Sequence, residues 1–213
     1  LHFSHVTVRP EGILMSYRQF RVMAETTPTL RQRLGGRSLY LVGMMGSGKT
    51  STGRPLAERV GDGFVDADAV IEQVAGCTIS EIFERDGEEE FRSLETQVMR
   101  SISERHSLVV ATGGGVVTRS ENWGMMHQGI VIWLDVERRQ LLQRLQSDST
   151  QRPLLMTGDP AETLDEILKQ RRPLYDEADL TVVIESESAD VVADGIIQLL
   201  PELIKDPPKE RPE

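Results

Sequence analysis

The stretch Gly43-Met-Met-Gly-Ser-Gly-Lys-Thr50 constrains this 213-residue chain more than any other. It spells G-x-x-x-x-G-K-[ST], a loop whose backbone N–H groups cradle phosphate oxygens. Gly43, Gly46 and Gly48 allow backbone conformations and approach distances that a Cβ forbids. A helix beginning near Gly48 adds the partial positive charge of its N-terminus at the same place. In such a loop Lys49 reaches the β- and γ-phosphates and the Thr50 hydroxyl ligates Mg²⁺. The flanks agree. Ser38-Leu-Tyr-Leu-Val42 is a short apolar run suited to a buried strand, and residues 49–60 suit a helix.

From Ser38 onward strands and helices alternate. Strands are expected at 38–42, around Phe64-Val65, and at 107–111, 130–134 and 180–184. Helices are expected at 49–60, 68–75, 78–85, 87–105, 120–127, 137–146, 160–171 (ahead of Pro173) and 188–203. Short apolar strands alternating with helices imply a three-layer α/β/α fold with a central five-stranded parallel sheet. In such sheets ligands sit beyond the carboxyl ends of the strands. That rule gathers three places: the loop after the first strand, Asp66 and Asp68 after the second, and Gly113-Gly114-Gly115 after the third.

Charge is unevenly spread. Residues 1–37 carry six Arg and two acids, a balance of +4, and residues 38–213 carry 18 basic and 32 acidic residues, a balance of −14. A body that acidic argues against nucleic acid as a partner. An anionic substrate must be held by a few placed cations instead. Residues 1–37 lack helical or strand periodicity and end in Leu34-Gly35-Gly36, so they read as a disordered arm or an over-extended start, with Met15 or Met23 as alternative initiators. The other reading is a targeting peptide, because such segments are Arg-rich and poor in acids. The Pro- and charge-rich tail 206–213 is also expected to be disordered. Cys77 is the sole cysteine, so no internal disulfide forms, which fits a reducing compartment. No apolar run approaches the ~18 residues of a membrane span.

Asp66-Ala-Asp68 stands at a strand end, where alternation puts both carboxylates on one side. One can organise Mg²⁺ and its waters, and the other can accept a substrate hydroxyl and take its proton. The competing reading is that Asp68 caps the next helix. Arg92 lies on an acid-rich helix, where ordinary pairing with Glu88 or Glu95 is an equal reading. Three glycines after a buried strand suggest a close approach to a ligand, or else a wide turn. Arg152 lies in residues 147–158, a loop-like stretch of Ser, Asp, Thr, Pro and Gly, and fits a closing lid or a solvated surface arginine. Arg171, near a helix end, reads by itself as a favourable charge on the helix dipole.

Taken together and in order, these motifs resemble the shikimate kinase family. The marks are G-M-M-G-S-G-K-T, Asp66-Ala-Asp68 with Ile71-Glu72, Ile82-Phe83 with Gly87-Glu88-x-x-Phe91-Arg92, the glycine triplet, Arg152-Pro-Leu-Leu and Arg171-x-Pro-Leu-Tyr175. The likeness runs from about Ser38 to Leu200. Ala67 stands where Thr is common in the family, and Thr50 where Ser is common. The arm has no counterpart in the minimal family.

The resemblance implies a nucleoside-monophosphate-kinase-like fold over residues 38–205, with a substrate-binding segment near 66–96 and a lid near 147–159. It implies ATP-dependent phosphorylation of the 3-hydroxyl of shikimate, a step of chorismate and aromatic amino-acid synthesis. ATP would lie on Gly46, Ser47, Gly48, Lys49, Thr50 and Ser51, with Arg144 against adenine and Arg152 as the lid cation. Mg²⁺ would sit on Thr50 and Asp66. Asp68 would bind the shikimate hydroxyls and serve as candidate base. Arg92 and Arg171 would clamp the carboxylate, with glycines 113–115 lining the ring. The implied protein is a cytoplasmic monomer acting on small molecules without nucleic acid or membrane, or a plastid one if residues 1–37 are a transit peptide. Another small-molecule kinase, for gluconate or a nucleoside monophosphate, and a non-catalytic nucleotide sensor are the alternatives.

Overall fold

A computed structural model describes residues 28–147, 159–185 and 187–204. Five parallel strands form one sheet: β1 (Leu39–Val42), β2 (Gly63–Asp66), β3 (Leu108–Ala111), β4 (Ile130–Val136) and β5 (Leu180–Ile184), in the order β2-β3-β1-β4-β5. The helices are α1 (Leu30–Leu34), α2 (Lys49–Val60), α3 (Ala67–Ala75), α4 (Ile79–Ser103), α5 (Ser120–Met126), α6 (Arg138–Ser147), α7 (Pro160–Tyr175) and α8 (Ala189–Leu203). A 3₁₀ turn at Val116–Thr118 follows the glycine triplet. This is the expected three-layer α/β/α arrangement.

The central strand shows why both faces are covered. Successive side chains of a strand point to opposite faces. On β1, Leu39 and Leu41 join one apolar cluster with Leu56, Ala193 and Ile196 of α2 and α8. Tyr40 and Val42 join the other with Phe91, Met99 and Trp123 of α4 and α5. All four β1 side chains are buried, so the strand reads as a continuous apolar run. Helix α7 crosses between the two cores: Leu164 near its start lies in the first, and Tyr175 at its end lies in the second.

Some expected boundaries moved. Helix α4 is one stretch interrupted at Gly87, whose φ of 82° and ψ of 176° are not helical, so the expected break between two helices is a kink. Helix α7 does not stop before Pro173 but runs through it to Tyr175. A proline so near the end removes only one N–H from the last turns, and burial of Arg171 and Tyr175 holds the helix together there.

The packed body also begins before Ser38. Thr29 and Gln32 form a reciprocal capping box that starts α1, and Leu34 is buried in the first core. The Arg33 guanidinium donates to the carbonyls of Pro201 (2.9 Å) and Ile204 (2.8 Å) at the end of α8. A five-residue helix is too short to show a period, so residues 28–37 looked detached in sequence. Residues 1–27, the expected lid with Arg152, and the tail lie outside the described residues. Among the described residues no helix is long and apolar enough to cross a membrane.

Candidate active site

A cavity of about 570 Å³ opens beyond the carboxyl ends of β1, β2 and β3. Its walls include the loop 45–52, Asp66, Asp68, Thr112, Gly114 and Arg144. The loop leaves β1 through Gly43, whose φ is 144°. A Cβ there would stand 2.8 Å from the Leu134 carbonyl oxygen and 3.0 Å from Ser47 Oγ, so only glycine fits. Gly48 is the N-cap of α2 and brings no side-chain acceptor to its first turn. A helix start capped in that way is a ready anion site. Lys49 Nζ donates to the carbonyls of Gly43 (2.8 Å) and Met44 (3.0 Å), which stretches the side chain back along the loop. Arg144 on α6 reaches over the same loop, its Nη1 donating to the Gly46 carbonyl at 3.1 Å.

Thr50 and Asp66 meet directly. The Thr50 hydroxyl donates to Asp66 Oδ2 at 2.6 Å. Two hard oxygen donors side by side at a phosphate loop suit Mg²⁺, which takes one or two protein oxygens and completes its shell with water and phosphate. Among the described residues no group of three or more His, Cys, Asp or Glu gathers that could hold a metal by itself.

The two aspartates differ from the expectation in one respect. Asp66, not Asp68, is the N-cap of α3, accepting from the N–H groups of Asp68 (3.1 Å) and Ala69 (3.4 Å). Asp68 lies in the first helical turn, so strand alternation does not set its direction. Both nonetheless line the cavity. Burial pushes the Asp68 carboxyl up to about 6; Lys49 and Arg92 pull it down, while Asp66 and Glu95 add to the rise. A carboxyl poised there can exchange a proton near neutral pH.

The glycine triplet turns out to be a place of close approach. A Cβ on Gly115 would land on the Arg92 guanidinium, and one on Gly113 would strike Glu95 and come within 3.0 Å of Asp68 Oδ1. Gly114 abuts the phosphate loop: a Cβ would lie 3.3 Å from the Met45 nitrogen. The triplet is therefore the partition between the phosphate side and a cluster of buried charges.

That cluster stands one layer behind the cavity wall. Arg92 and Arg171 are each only 6% exposed. Arg92 pairs with Glu95 (2.8 Å) and with Glu88 (3.2 Å), so the ordinary helix pairs foreseen for it do exist. What they do not explain is why the pair is buried against glycine rather than lying in solvent. Arg171 comes from α7, where a Cβ on Gly114 would be 3.8 Å from its Nη1. It is not a surface helix cap but a buried cation.

Glu95 was missed as more than a partner of Arg92. It is 1% exposed, its Oε1 has no hydrogen-bond partner among the described residues, and burial raises its pKa against the pull of Arg92 and Arg171. Its only sequence signal was an acid three residues after an arginine on one helix face, which is commonplace. The structure thus brings together the loop 43–52, Asp66, Asp68, Arg92, Glu95, Gly113–Gly115, Arg144 and Arg171. Arg152 lies outside the described residues.

A five-stranded parallel sheet with a phosphate loop after its first strand, a Thr–Asp pair and a poised carboxyl defines a small-molecule phosphotransferase of the P-loop class. Comparison with known proteins narrows this. The family model for shikimate kinase matches residues 45–201. A shikimate kinase of Synechococcus sp. (strain CC9605) is 72% identical over 92% of this chain and 99% of its own length. One from Synechococcus sp. (strain CC9902) is 70% identical over 89% and 99%. Among solved structures, shikimate kinase from Acinetobacter baumannii in complex with shikimate superposes with a TM-score of 0.77 at 40% identity, covering 82% of this chain and 98% of that one. The chain belongs to the shikimate kinase family.

Proposed function

We propose that this chain transfers the γ-phosphoryl group of ATP to the 3-hydroxyl of shikimate, giving shikimate 3-phosphate and ADP, with the following division of labour. The loop 46–51 and Lys49 hold the phosphates, and Arg144 lies against the adenine. Thr50 and Asp66 hold Mg²⁺, which when bound neutralises phosphate charge. Asp68 accepts the proton of the 3-hydroxyl as that oxygen bonds to the γ-phosphorus and the bond to the β–γ bridging oxygen breaks. Arg92 and Arg171 bind the carboxylate; guanidinium forks suit that planar anion. The ring lies along Gly113–Gly115, whose lack of side chains lets Arg92 and Glu95 close in and leaves backbone exposed. Arg152 serves as the lid cation that steadies the transferring charge.

The observation that carries this reading is the place of Asp68. Its carboxyl lines the cavity beside Asp66, feels the charge of Lys49, and lies against Gly113, where the buried-charge cluster begins. It is the group common to both sides of the reaction. The wider reading is a cytoplasmic monomer that feeds aromatic amino-acid synthesis. A coupled ADP-release assay with shikimate, gluconate and nucleoside monophosphates tests it. ADP release is expected with shikimate alone. Equal rates with gluconate, or ATP binding without any shikimate-dependent release, would overturn the assignment.

A further inference from the structure

Tyr175 ends α7 one helical turn after Arg171, so both side chains lie on one face. It is buried to 1% exposure, and its ring stacks on Trp133 of β4 with centroids 5.8 Å apart. Packing explains the ring but not the hydroxyl. That hydroxyl donates to the Gly114 carbonyl at 2.5 Å and lies 4.0 Å from the Met44 sulfur. The Arg171 guanidinium borders the same glycine, its Nη1 3.8 Å from where a Cβ on Gly114 would stand; Glu95 raises the phenol pKa, and the charges of Arg171 and Arg92 pull it down. Burial outweighs them and pushes the phenol up to about 12, so the group stays a donor at neutral pH.

A tyrosine hydroxyl has one proton to give and lone pairs to receive. With the proton committed to Gly114, the lone pairs are left to receive from the Arg171 guanidinium, which borders the same glycine. The peptide plane that carries the Gly114 carbonyl also carries the Gly115 N–H, pointing the opposite way in a trans peptide. Fixing that carbonyl therefore fixes the direction of that N–H. The neighbouring carbonyls are held as well: Gly113 by the Val116 N–H (3.3 Å), and Gly115 by the Thr118 N–H (3.0 Å) and hydroxyl (2.7 Å).

We infer that Tyr175 is a positioning residue: its hydroxyl locks the Gly114 peptide and the Arg171 guanidinium to each other and so sets the shape of the acid-binding side of the cavity. The inference rests on the reading that Arg171 binds the shikimate carboxylate. Tyr175→Phe keeps the ring and removes only the lock. The KM for shikimate is expected to rise about tenfold, the size of one lost oriented hydrogen bond, with kcat within about threefold. In an Arg171→Ala background the same change is expected to add less than about twofold, because the two side chains act as one unit.

Three results separate the possibilities. A raised KM that vanishes in the Arg171→Ala background supports the inference. A lowered Tm with unchanged KM for shikimate would make Tyr175 a core residue only and overturn it. An unchanged KM in Arg171→Ala itself would sink the carboxylate assignment instead. Should Tyr175→Phe fail to fold, a fluorinated tyrosine at position 175 keeps the shape and ionises at lower pH. The KM for shikimate is then expected to climb with pH where wild type stays flat, since a phenolate cannot donate to Gly114. A flat profile in both would count against the lock.

Discussion

In the proposed assignment, the phosphate side and the acid side of the site hold an anion by opposite means. The phosphate side is built mostly of backbone, one contiguous loop and a helix start, with Lys49 and Arg144 as its cations. Its partial charges cost little to keep in place. The acid side uses full charges from distant parts of the chain: Arg92 and Glu95 on α4, Arg171 on α7, and Asp68 on α3. Arg92, Glu95 and Arg171 are buried and Asp68 is half-buried; Arg92 and Glu95 pair with each other, and the carboxyls of Glu95 and Asp68 are pushed up before any ligand arrives. Glycines 113–115 make room for that cluster next to the loop. On that assignment, a polyanion is met by generic backbone geometry, whereas a single carboxylate is met by preorganised charges that belong to the core.

The comparison breaks most sharply at Asp68, which borders both sides. Asp68→Asn is expected to keep ATP binding and lower turnover by about 10²–10⁴, the worth of a positioned base and its orientation. Turnover within a few-fold of wild type would remove Asp68 from the chemistry. Its pH behaviour sharpens the point. The folded carboxyl titrates near 6, above the 3.8 of an unstructured one. The folded state thus binds more protons between those values, and stability falls as pH rises through that window. Asn at this position is expected to stabilise the ligand-free enzyme at pH 7.5 by about 1–2 kcal/mol, cavity water screening part of the shift, with the gain gone below pH 4. Denaturation at the two pH values measures it. The acidic limb of kcat/KM for shikimate should fall near pH 6 in wild type and disappear in the variant.

Arg92→Ala comes next. It removes a cation remote from the reacting oxygen, so the KM for shikimate is expected to rise by about 10- to 100-fold with a smaller change in kcat. It also leaves Glu95 buried without its partner, which costs about 3 kcal/mol in a denaturant titration. Loss of ATP binding instead would mean the two sides had been assigned wrongly. Arg144→Ala is the mirror test: the KM for ATP rises about fivefold to tenfold and that for shikimate stays, as expected for one cation over a ligand face. The smallest kinetic effect belongs to Leu34→Ala. It empties a buried site far from the cavity, so stability drops by about 2–4 kcal/mol while both KM values hold. A change in either KM would tie α1 to the active site.

The same contrast decides what was legible in sequence. The phosphate loop could be read from eight consecutive residues, because its physics is local. The sheet could be read from short apolar runs, because parallel strands are buried on both faces. The acid side could not be read that way. Arg92 and Glu95 looked like an ordinary helix pair and Arg171 like a helix cap, since burial is a property of the packed molecule. Only the ordered resemblance to a family joined Arg92 to Arg171, and it left Glu95 out. The run of α7 through Pro173 and the docking of α1 were hidden for a further reason: each depends on tertiary contacts that override local propensity.

A structure with Mg²⁺, ADP and shikimate bound tests the central claim most directly. The expected result places the 3-hydroxyl within hydrogen-bond reach of Asp68, about 2.6–3.2 Å, and the carboxylate on Arg92 and Arg171. Shikimate bound with its carboxylate on other cations, or with Asp68 turned away from the hydroxyl, would contradict it.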